Sequence, residues 1–526
     1  MGSSARGDPA APAVSPRADT VPVAREQVRS SPPDPASRGR TPVSSAIVAG
    51  VAGVAVLVAV TAPFMARYGW DRDELYFFSA AHHPALGYVD FPPLIAWVGW
   101  VMDKLAPGSL IALRAISLAA GAATVVLAAL IARELGGSRR AQWISAISWS
   151  LTPYILGSAS IFHPTWLDAL AWVAFLYVAA RMIVRREPRL WVALGVIAGV
   201  GLEAKYTIAF LILGLAAALA LTRERRQLMT PWPWIALAIA LILLLPNLIW
   251  QAQHGWPSIH FFSSQNTRTA SDTSRPAYLA EQLLFLGSTT VIAIVGIIWL
   301  WRRGLRVLAM IPVIVSVIFL VERGRSYYPL PADALAVAAG AVAVDQWLRG
   351  PRRALLAAAV AALQLAVIVL AAPIIVPFYS IEHLLSSGVW KVGYFKDEIG
   401  WPEMTTQVEH AWSALPAPER ANAVILAGNY GEASALQFYG RGLGVILSGH
   451  LSWQYWRPEH LPQRFAVTVG YSRSELDVLC ARSQPIAAID NRWHLDNEER
   501  GRLIATCSLK TSLSTIWTSR IARNQL

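Results

Sequence analysis

The most regular feature of the sequence is a series of long apolar segments separated by short polar ones. Their lengths are close to the roughly 20 apolar residues that a helix needs to cross a bilayer. They predict about eleven transmembrane helices, at residues 44–65, 111–130, 141–158, 166–181, 190–202, 207–221, 234–251, 281–300, 307–321, 330–348 and 354–377. The fifth and sixth segments are short, and one broken helical hairpin is the alternative interpretation of that pair.

The polar segments carry a charge pattern that predicts topology. Arginine clusters follow the second, fourth, sixth, eighth and tenth apolar segments, as RELGGSRR, RMIVRREPR, TRERRQ, WRRGLR and RGPRR. Because basic loops stay in the cytoplasm, we expect a multi-pass plasma-membrane protein with a cytoplasmic N-terminus. The odd-numbered loops and the region after the eleventh segment are then extracytoplasmic.

Composition supports a membrane protein and argues against other classes. Hydrophobic residues make up 55% of the 526 residues and charged residues only 15%, which is too apolar for a soluble chain. The net charge of +12 does not indicate a nucleic-acid partner, because the basic residues lie in clusters between apolar segments. Residues 1–43 are rich in Pro, Ser, Ala and Arg, which predicts a disordered cytoplasmic tail.

The C-terminal region differs in character from the apolar region, residues 44–379. Residues 380–526 carry more charge, and ANAVILAGNYGEASALQFYG indicates a strand, a turn and a helix. RFAVTVGYS and QPIAAIDN indicate two more strands, so we expect a small extracytoplasmic α/β domain. Cys480 and Cys507 lie in it, where a disulfide is permitted; two unpaired buried thiols are the alternative. Selection of the acceptor is a hypothesis for this domain.

The first outer loop, residues 66–94, is the most unusual polar segment. Its sequence WDRDELYFFSAAHHPALGYVDFPPL places Asp71, Asp73, Glu74 and Asp90 among aromatic residues. Carboxylates near hydrocarbon are costly, so this cluster indicates either a hydrated loop or an active site. The aromatic residues suit a structured interface and favour the active site. A simple turn role for Asp90 is an alternative, since Asp is common in turns.

Further polar residues lie at the predicted outer ends of other helices. Carboxylates beside cations suit an enzyme that binds an anion, such as a phosphate, next to a general base. Helix capping is the alternative role for Asp168, which lies in the first turns of its segment. The residues at these outer ends include His163, Asp168, Glu203, Lys205, Arg325, Tyr327 and Tyr328.

The motifs of the first loop resemble those of a known family. RDELYF followed by GYVDFPPL is similar to the bacterial members of the dolichyl-phosphate-mannose protein mannosyltransferase and aminoarabinose transferase superfamily, which are GT-C glycosyltransferases. Asp73-Glu74 matches the family's Asp-Glu pair, and residues 90–94 match its D-x-P-P-L segment. LRAISLAAGAATVVLAALIARELGG resembles the family's second span, and GLEAKYT and RSYYPLPADALAVAAG match more weakly. The resemblance covers about residues 44–350.

The resemblance implies a GT-C-like α-helical membrane fold and an inverting sugar transfer in the bacterial plasma membrane. The donor would be a polyprenyl-phosphate-linked hexose or pentose, and the acceptor a protein, a lipid or an envelope glycan. No cofactor and no metal is implied. Asp73 and Glu74 would be the catalytic pair, with Asp73 the base. Glu74, Asp90 and Asp168 would orient the sugar or the acceptor. Lys205 and Arg325 would bind the phosphate, with Tyr327 and Tyr328 near it. Asp71 is an additional acidic residue that competes for the base role.

Two other classes of function remain as alternatives. A transporter or flippase would carry charges near the middle of its spans, whereas here the polar residues collect at one end. A non-catalytic envelope-assembly protein would not need the acidic first loop. Both considerations favour the glycosyltransferase.

Overall fold

The structure, a computed structural model, describes residues 41–272, 274–348, 351–391, 394–461 and 463–523. Most of the predicted tail, residues 1–43, lies outside the described residues. The N-terminal helices are α1 Val43–Thr61, α2 Arg72–Ala81, α3 Leu94–Leu105, α4 Leu110–Glu134, α5 Arg139–Ser150, α6 Pro153–Ser158, α7 Pro164–Arg185, α8 Leu190–Ala204, α9 Ile208–Ala220, α10 Pro231–Gln253, α11 Pro257–Asp272, α12 Arg275–Leu286, α13 Thr289–Arg302, α14 Arg306–Glu322, α15 Asp333–Trp347 and α16 Pro351–Ile375.

Every apolar segment is helical, but two of them are broken. The third segment divides into α5 and α6 at Thr152-Pro153, because proline lacks the N–H that would continue the first helix. The eighth divides into α12 and α13, which meet at 97°. Gly287 lies at that break with a φ of 57°, a conformation that glycine adopts easily.

Among the described residues, four helices are long and apolar enough to span a bilayer: Val43–Phe64, Leu110–Glu134, Pro164–Arg185 and Pro231–Gln253. The bent pair α12 and α13 also passes as one span. The described helices α8 and α9 are apolar but shorter. The chain is therefore a multi-pass helical membrane protein, and the number of about eleven spans stays a prediction.

Helices α13 and α15 approach each other unusually closely. A Cβ atom added at Gly296 would lie 1.9 Å from the Ala336 carbonyl oxygen, and one added at Gly340 would lie 1.9 Å from the Ile292 carbonyl oxygen. Close packing through small residues is a common way to associate helices in membranes, where burial of apolar surface gives no advantage over lipid.

The C-terminal part contains a five-stranded mixed sheet in the order β2-β1-β3-β5-β4. β1 is parallel to β2 and β3, whereas β5 is antiparallel to β3 and β4. A disulfide joins Cys480 and Cys507 across β4 and β5. The elements of this part are α17 Ile381–Ser387, α18 Trp401–Ser413, α19 Ala417–Ala421, β1 Ala423–Ala427, α20 Tyr430–Tyr439, β2 Ile446–Ser448, β3 Phe465–Tyr471, α21 Arg473–Leu479, β4 Cys480–Ala488, β5 Leu503–Leu509 and α22 Leu513–Ile516.

The first loop and the C-terminal part share one hydrophobic core. Residues 72–81 of this predicted loop form the helix α2, which packs beside α20. The rings of Trp70 and Phe438 are 4.6 Å apart, and the rings of Phe78 and Phe438 are 5.4 Å apart. The boundary of a separate domain at residue 380 stays a prediction.

We expect that Gly296→Ala and Gly340→Ala each destabilise the protein. The new methyl group must separate two backbones, and overpacking of this kind costs about 1–3 kcal/mol. Thermal unfolding in detergent, followed by size-exclusion chromatography, measures the effect. Gly157→Ala is the control, because its Cβ meets only Ile375 at 3.4 Å. Equal melting temperatures for all three variants would contradict the close approach of α13 and α15.

Candidate active site

The start of α2 is held by a reciprocal capping arrangement. Asp71 is the N-cap residue, and its carboxylate accepts a hydrogen bond of 2.8 Å from the Asp73 amide. The Asp71 amide in turn donates to Glu74 Oε2 at 2.9 Å. Such a capping box satisfies amides that a helix start otherwise leaves without partners. Asp71, which competed with Asp73 for the base role, is thus engaged in capping.

Glu74 forms a buried ion pair with Arg114 of α4. Arg114 Nε donates to Oε1 at 2.8 Å and Nη2 donates to Oε2 at 2.6 Å. The Phe162 amide donates to Oε1 at 2.7 Å. Both charged side chains are at most 2% exposed. Glu74 therefore anchors α2 to α4, and its carboxylate is engaged by protein donors on both oxygens.

Asp73 is the acidic residue of this helix that stays accessible. Its side chain is 37% exposed, and Oδ1 accepts a hydrogen bond of 2.7 Å from the Tyr430 hydroxyl. His163 Nε2 lies 3.6 Å from Oδ2. Desolvation by the surrounding protein raises the pKa of Asp73. The Tyr430 hydrogen bond and the Arg72 charge oppose that rise. Asp73 is the carboxylate available to accept a proton.

His163 is held in one tautomer by the start of α7. It is the N-cap residue, and the Thr165 amide donates to Nδ1 at 3.2 Å. Nδ1 is then an acceptor, so the proton of the neutral ring is on Nε2 and faces Asp73. Burial and the nearby Lys205 charge lower the pKa of His163 to about 3, so the ring is neutral. His163 is thus neutral, and its Nε2 proton faces an Asp73 oxygen that lies beyond hydrogen-bond distance at 3.6 Å.

Asp90 and Asp168 are buried acidic residues with different surroundings. Asp90 Oδ1 accepts a hydrogen bond of 2.8 Å from the Tyr76 hydroxyl, and burial raises the Asp90 pKa to about 7. Asp168 is 2% exposed, and its Oδ1 has no hydrogen-bond partner among the described residues. Because His163 caps α7, helix capping does not account for Asp168.

Lys205, Arg325, Tyr327 and Tyr328 lie together. The Lys205 ammonium is 4.3 Å from the ring centre of Tyr328 and 5.4 Å from that of Tyr327. Arg325 is exposed, and its charge acts on both Lys205 and Asp73. Burial lowers the Lys205 pKa to about 8, although the Asp168 charge opposes this. The Arg325 charge acts on Asp73 and the Lys205 charge acts on its neighbour His163, so two cations lie on this side of the site, where they can bind an anion.

The sequence analysis did not assign Arg114 or Tyr430 to this site. Arg114 carried a signal, since a single arginine within an apolar segment needs a partner. The position of Tyr430 depends on a contact between residues 357 positions apart, which no local pattern predicts. Within the part of the chain that the structure describes, no group of three His, Cys, Asp or Glu side chains is arranged to hold a metal ion.

Comparison with known proteins agrees with this architecture. Residues 90–250 match the family model of dolichyl-phosphate-mannose-protein mannosyltransferases, PMT for short. ArnT from Cupriavidus metallidurans, in its structure bound to undecaprenyl phosphate, is 15% identical with a TM-score of 0.54 over 89% of this chain and 98% of ArnT. The chain has the GT-C fold, and its residues 90–250 are similar to the PMT family. Apo ArnT from the same organism gives 15% identity and a TM-score of 0.53, covering 89% of this chain and 99% of ArnT.

The match to the PMT family does not cover the whole site. Asp90, Asp168 and Lys205 lie within the matched residues, whereas Asp73 and Arg325 lie outside them. The comparison with curated proteins found no matching sequence. The roles of individual side chains therefore rest on their geometry.

We expect Arg114→Met and Glu74→Gln to destabilise the protein strongly. Arg114→Met leaves the buried Glu74 carboxylate without its cation, and Glu74→Gln removes one of the two carboxylates that pair with Arg114. Breaking a buried pair costs about 3–5 kcal/mol. The melting temperature in detergent and the yield of monodisperse protein measure the loss. Arg140→Met is the control, because Arg140 is 65% exposed and lies 3.9 Å from Asp345. Normal stability of Arg114→Met would show that the pair does not anchor α2.

Proposed function

We propose that this chain is an inverting glycosyltransferase that moves a sugar from a polyprenyl-phosphate-linked donor to an acceptor hydroxyl. The observation that carries the proposal is one accessible carboxylate, Asp73, with two cations nearby: the Arg325 charge acts on Asp73, and the Lys205 charge acts on its neighbour His163. A carboxylate accepts the acceptor's proton, and cations stabilise the phosphate that leaves. The PMT family match and the GT-C fold support the same class of reaction.

The proposed reaction is a single displacement. The acceptor hydroxyl oxygen attacks the anomeric carbon while its proton passes to Asp73. The bond between the anomeric carbon and the phosphate oxygen breaks, and its electron pair stays on the phosphate. Lys205 and Arg325 compensate the charge of that phosphate, and Tyr327 and Tyr328 line the same side. Attack opposite to the leaving group inverts the anomeric centre.

The remaining acidic residues have supporting roles in this proposal. Asp90 and Asp168 orient the sugar or the acceptor, since the charge of Asp90 interacts with Asp73 and that of Asp168 interacts with Lys205. Glu74 was expected in the catalytic pair, but its bonds to Arg114 and to the Phe162 amide favour a positioning role. Asp73 alone is then the base.

The location of the reaction is also part of the proposal. The arginine clusters favour a site on the outer membrane face and an extracytoplasmic C-terminal part, residues 380–526. Undecaprenyl phosphate is bound in the ArnT structure, which supports a polyprenyl phosphate as the ligand class here. The donor reaches the site from the membrane. The acceptor is a protein, a lipid or an envelope glycan.

The test compares the purified protein with Asp73→Asn in nanodiscs that contain a panel of polyprenyl-phosphate sugars. Mass spectrometry follows release of the lipid phosphate by transfer or hydrolysis. We expect one donor to be consumed by the wild type and turnover to fall at least about 100-fold in Asp73→Asn, as loss of a general base predicts. Asp477→Asn is the control, because Asp477 is exposed on α21.

Two results would overturn the proposal. Consumption of no donor by the wild type would favour a transporter or an assembly protein. Equal turnover by wild type and Asp73→Asn would remove Asp73 from the role of base.

A second prediction concerns the pH dependence of donor use. Burial lowers the Lys205 pKa to about 8, so Lys205 loses its charge as the pH rises through that value. We expect kcat/KM for the donor to fall above pH 8. Lys205→Arg keeps the charge at high pH and should remove this alkaline decline, while Lys104→Arg should leave it unchanged. An alkaline decline that persists in Lys205→Arg would assign it to another group.

A further inference from the structure

We infer that Tyr430 of the C-terminal part is a positioning residue for the carboxylate of Asp73, so that this part completes the reaction site. The inference rests on the proposed function, in which Asp73 is the base. It gives the C-terminal part a role in the reaction itself, beyond the hypothesis that it selects the acceptor.

The hydrogen bond between the two side chains is the central observation. The Tyr430 hydroxyl donates to Asp73 Oδ1 at 2.7 Å, while His163 Nε2 faces Oδ2 at 3.6 Å. The two oxygens therefore meet different neighbours. The donor on Oδ1 restrains the rotation of the carboxylate, whereas His163 lies beyond hydrogen-bond distance of Oδ2. In the inferred arrangement the acceptor hydroxyl approaches Oδ2.

The local structure around Tyr430 is built to hold its ring in place. Tyr430 is the first residue of α20, directly after the N-cap Asn429. The Asn429 side chain accepts from the Glu432 amide at 2.9 Å, and Glu432 Oε2 accepts from the Asn429 amide at 3.0 Å. The Tyr430 ring lies 4.7 Å from that of Tyr76. Both the backbone and the ring of Tyr430 are thus restrained before any substrate binds.

The absence of a side chain at Gly431 allows α20 to reach α2. A Cβ atom at Gly431 would lie 2.6 Å from Arg72 Cγ. The start of α20 is therefore close to Asp73, and the partial positive charge of a helix N-terminus favours a carboxylate there. The motif GNYGEASAL, in which the sequence predicts a turn and a helix but no part of the site, thus combines a capping box, a close approach and a donor.

Arg72 provides an independent connection on the same helix. Its Nη2 donates to Glu499 Oε1 at 2.6 Å, and its Nη1 donates to Glu498. Glu74, two residues later, binds Arg114 of α4. Asp73 thus lies between Arg72, which is bound to the C-terminal part, and Glu74, which is bound to α4. These two connections set the position of Asp73 relative to Tyr430.

The carboxylate of Asp73 has several titratable or charged neighbours, and their effects oppose one another. Desolvation raises the Asp73 pKa, and the Tyr430 hydrogen bond lowers it. Loss of the hydroxyl should therefore raise the pKa further. The titratable and charged groups that face Asp73 are Asp71, Arg72, Asp90, His163, Arg325, Asp397, Tyr430 and Glu498.

The experiment compares wild type, Tyr430→Phe, Tyr439→Phe and Asp73→Asn, all full-length in nanodiscs. Tyr439→Phe is the matched control, since it removes a hydroxyl at the far end of the same helix. Turnover of the donor is measured between pH 5 and pH 9. In Tyr430→Phe we expect kcat to fall about 10-fold near neutral pH, with little change in donor KM. The acidic limb of kcat/KM should move to higher pH, so the deficit shrinks as the pH rises.

A second measurement does not depend on turnover. Infrared difference spectra during a pH titration report protonation of the Asp73 carboxyl group, which is identified by the band that Asp73→Asn removes. The midpoint should move to higher pH in Tyr430→Phe and stay unchanged in Tyr439→Phe. Incorporation of 3-fluorotyrosine at position 430 makes the phenol a stronger donor and keeps the packing, so it should move the midpoint to lower pH.

The outcomes separate the inference from the proposed function. An unchanged midpoint and an unchanged acidic limb in Tyr430→Phe would overturn the inference, even if Asp73→Asn is inactive. A shifted midpoint in a protein that consumes no donor would support the contact and overturn the proposed function. If Tyr430→Phe does not fold, the variant with 3-fluorotyrosine at position 430 decides the inference. A shift of the Asp73 midpoint to lower pH supports it, and an unchanged midpoint overturns it.

Discussion

The buried ion pair between Glu74 and Arg114 is the interaction on which the rest of the site depends. Arg114 lies within the apolar helix α4, where an arginine without a partner costs about 2.5–3.5 kcal/mol. Glu74 accepts two hydrogen bonds from it and a third from the Phe162 amide. Arg114 also pairs with Glu398, but separation of α2 from α4 would leave the buried Glu74 carboxylate without its cation. Movement of α2 away from α4 therefore carries a large loss of stability.

This constraint determines what the neighbours of Glu74 can do. Successive residues of a helix point about 100° apart, so fixing Glu74 toward α4 also fixes the directions of Arg72 and Asp73. Arg72 points to the carboxylates of the C-terminal part, and Asp73 points to the accessible side. Asp71 is engaged as the N-cap. One short acidic segment thereby has four different functions, and only one carboxylate in it is accessible.

The sequence could predict the local structure better than the long-range contacts. The positions of the apolar helices follow from hydrophobic length, and β1 and β3 follow from short apolar runs between turn residues. β2 has only three residues, and β5 contains polar residues, so neither gives a clear pattern. The bond from Tyr430 to Asp73 depends on how two distant parts pack. The partner of Arg114 could have been sought among the acidic residues of the first loop, since its charge lies in an apolar segment.

The chemistry of the accessible carboxylate favours a single displacement over a covalent mechanism. A retaining glycoside transfer needs a nucleophilic carboxylate and a second, acid–base carboxylate about 5 Å away. Glu74, the neighbour of Asp73, is engaged on both oxygens and is fully buried, so it cannot provide the second group. A base needs only one carboxylate, and a raised pKa makes it a stronger proton acceptor once ionised. The desolvation of Asp73 increases its basicity, while the hydrogen bond from Tyr430 and the positive charge of Arg72 favour its ionised form. Deprotonation of a hydroxyl requires this balance.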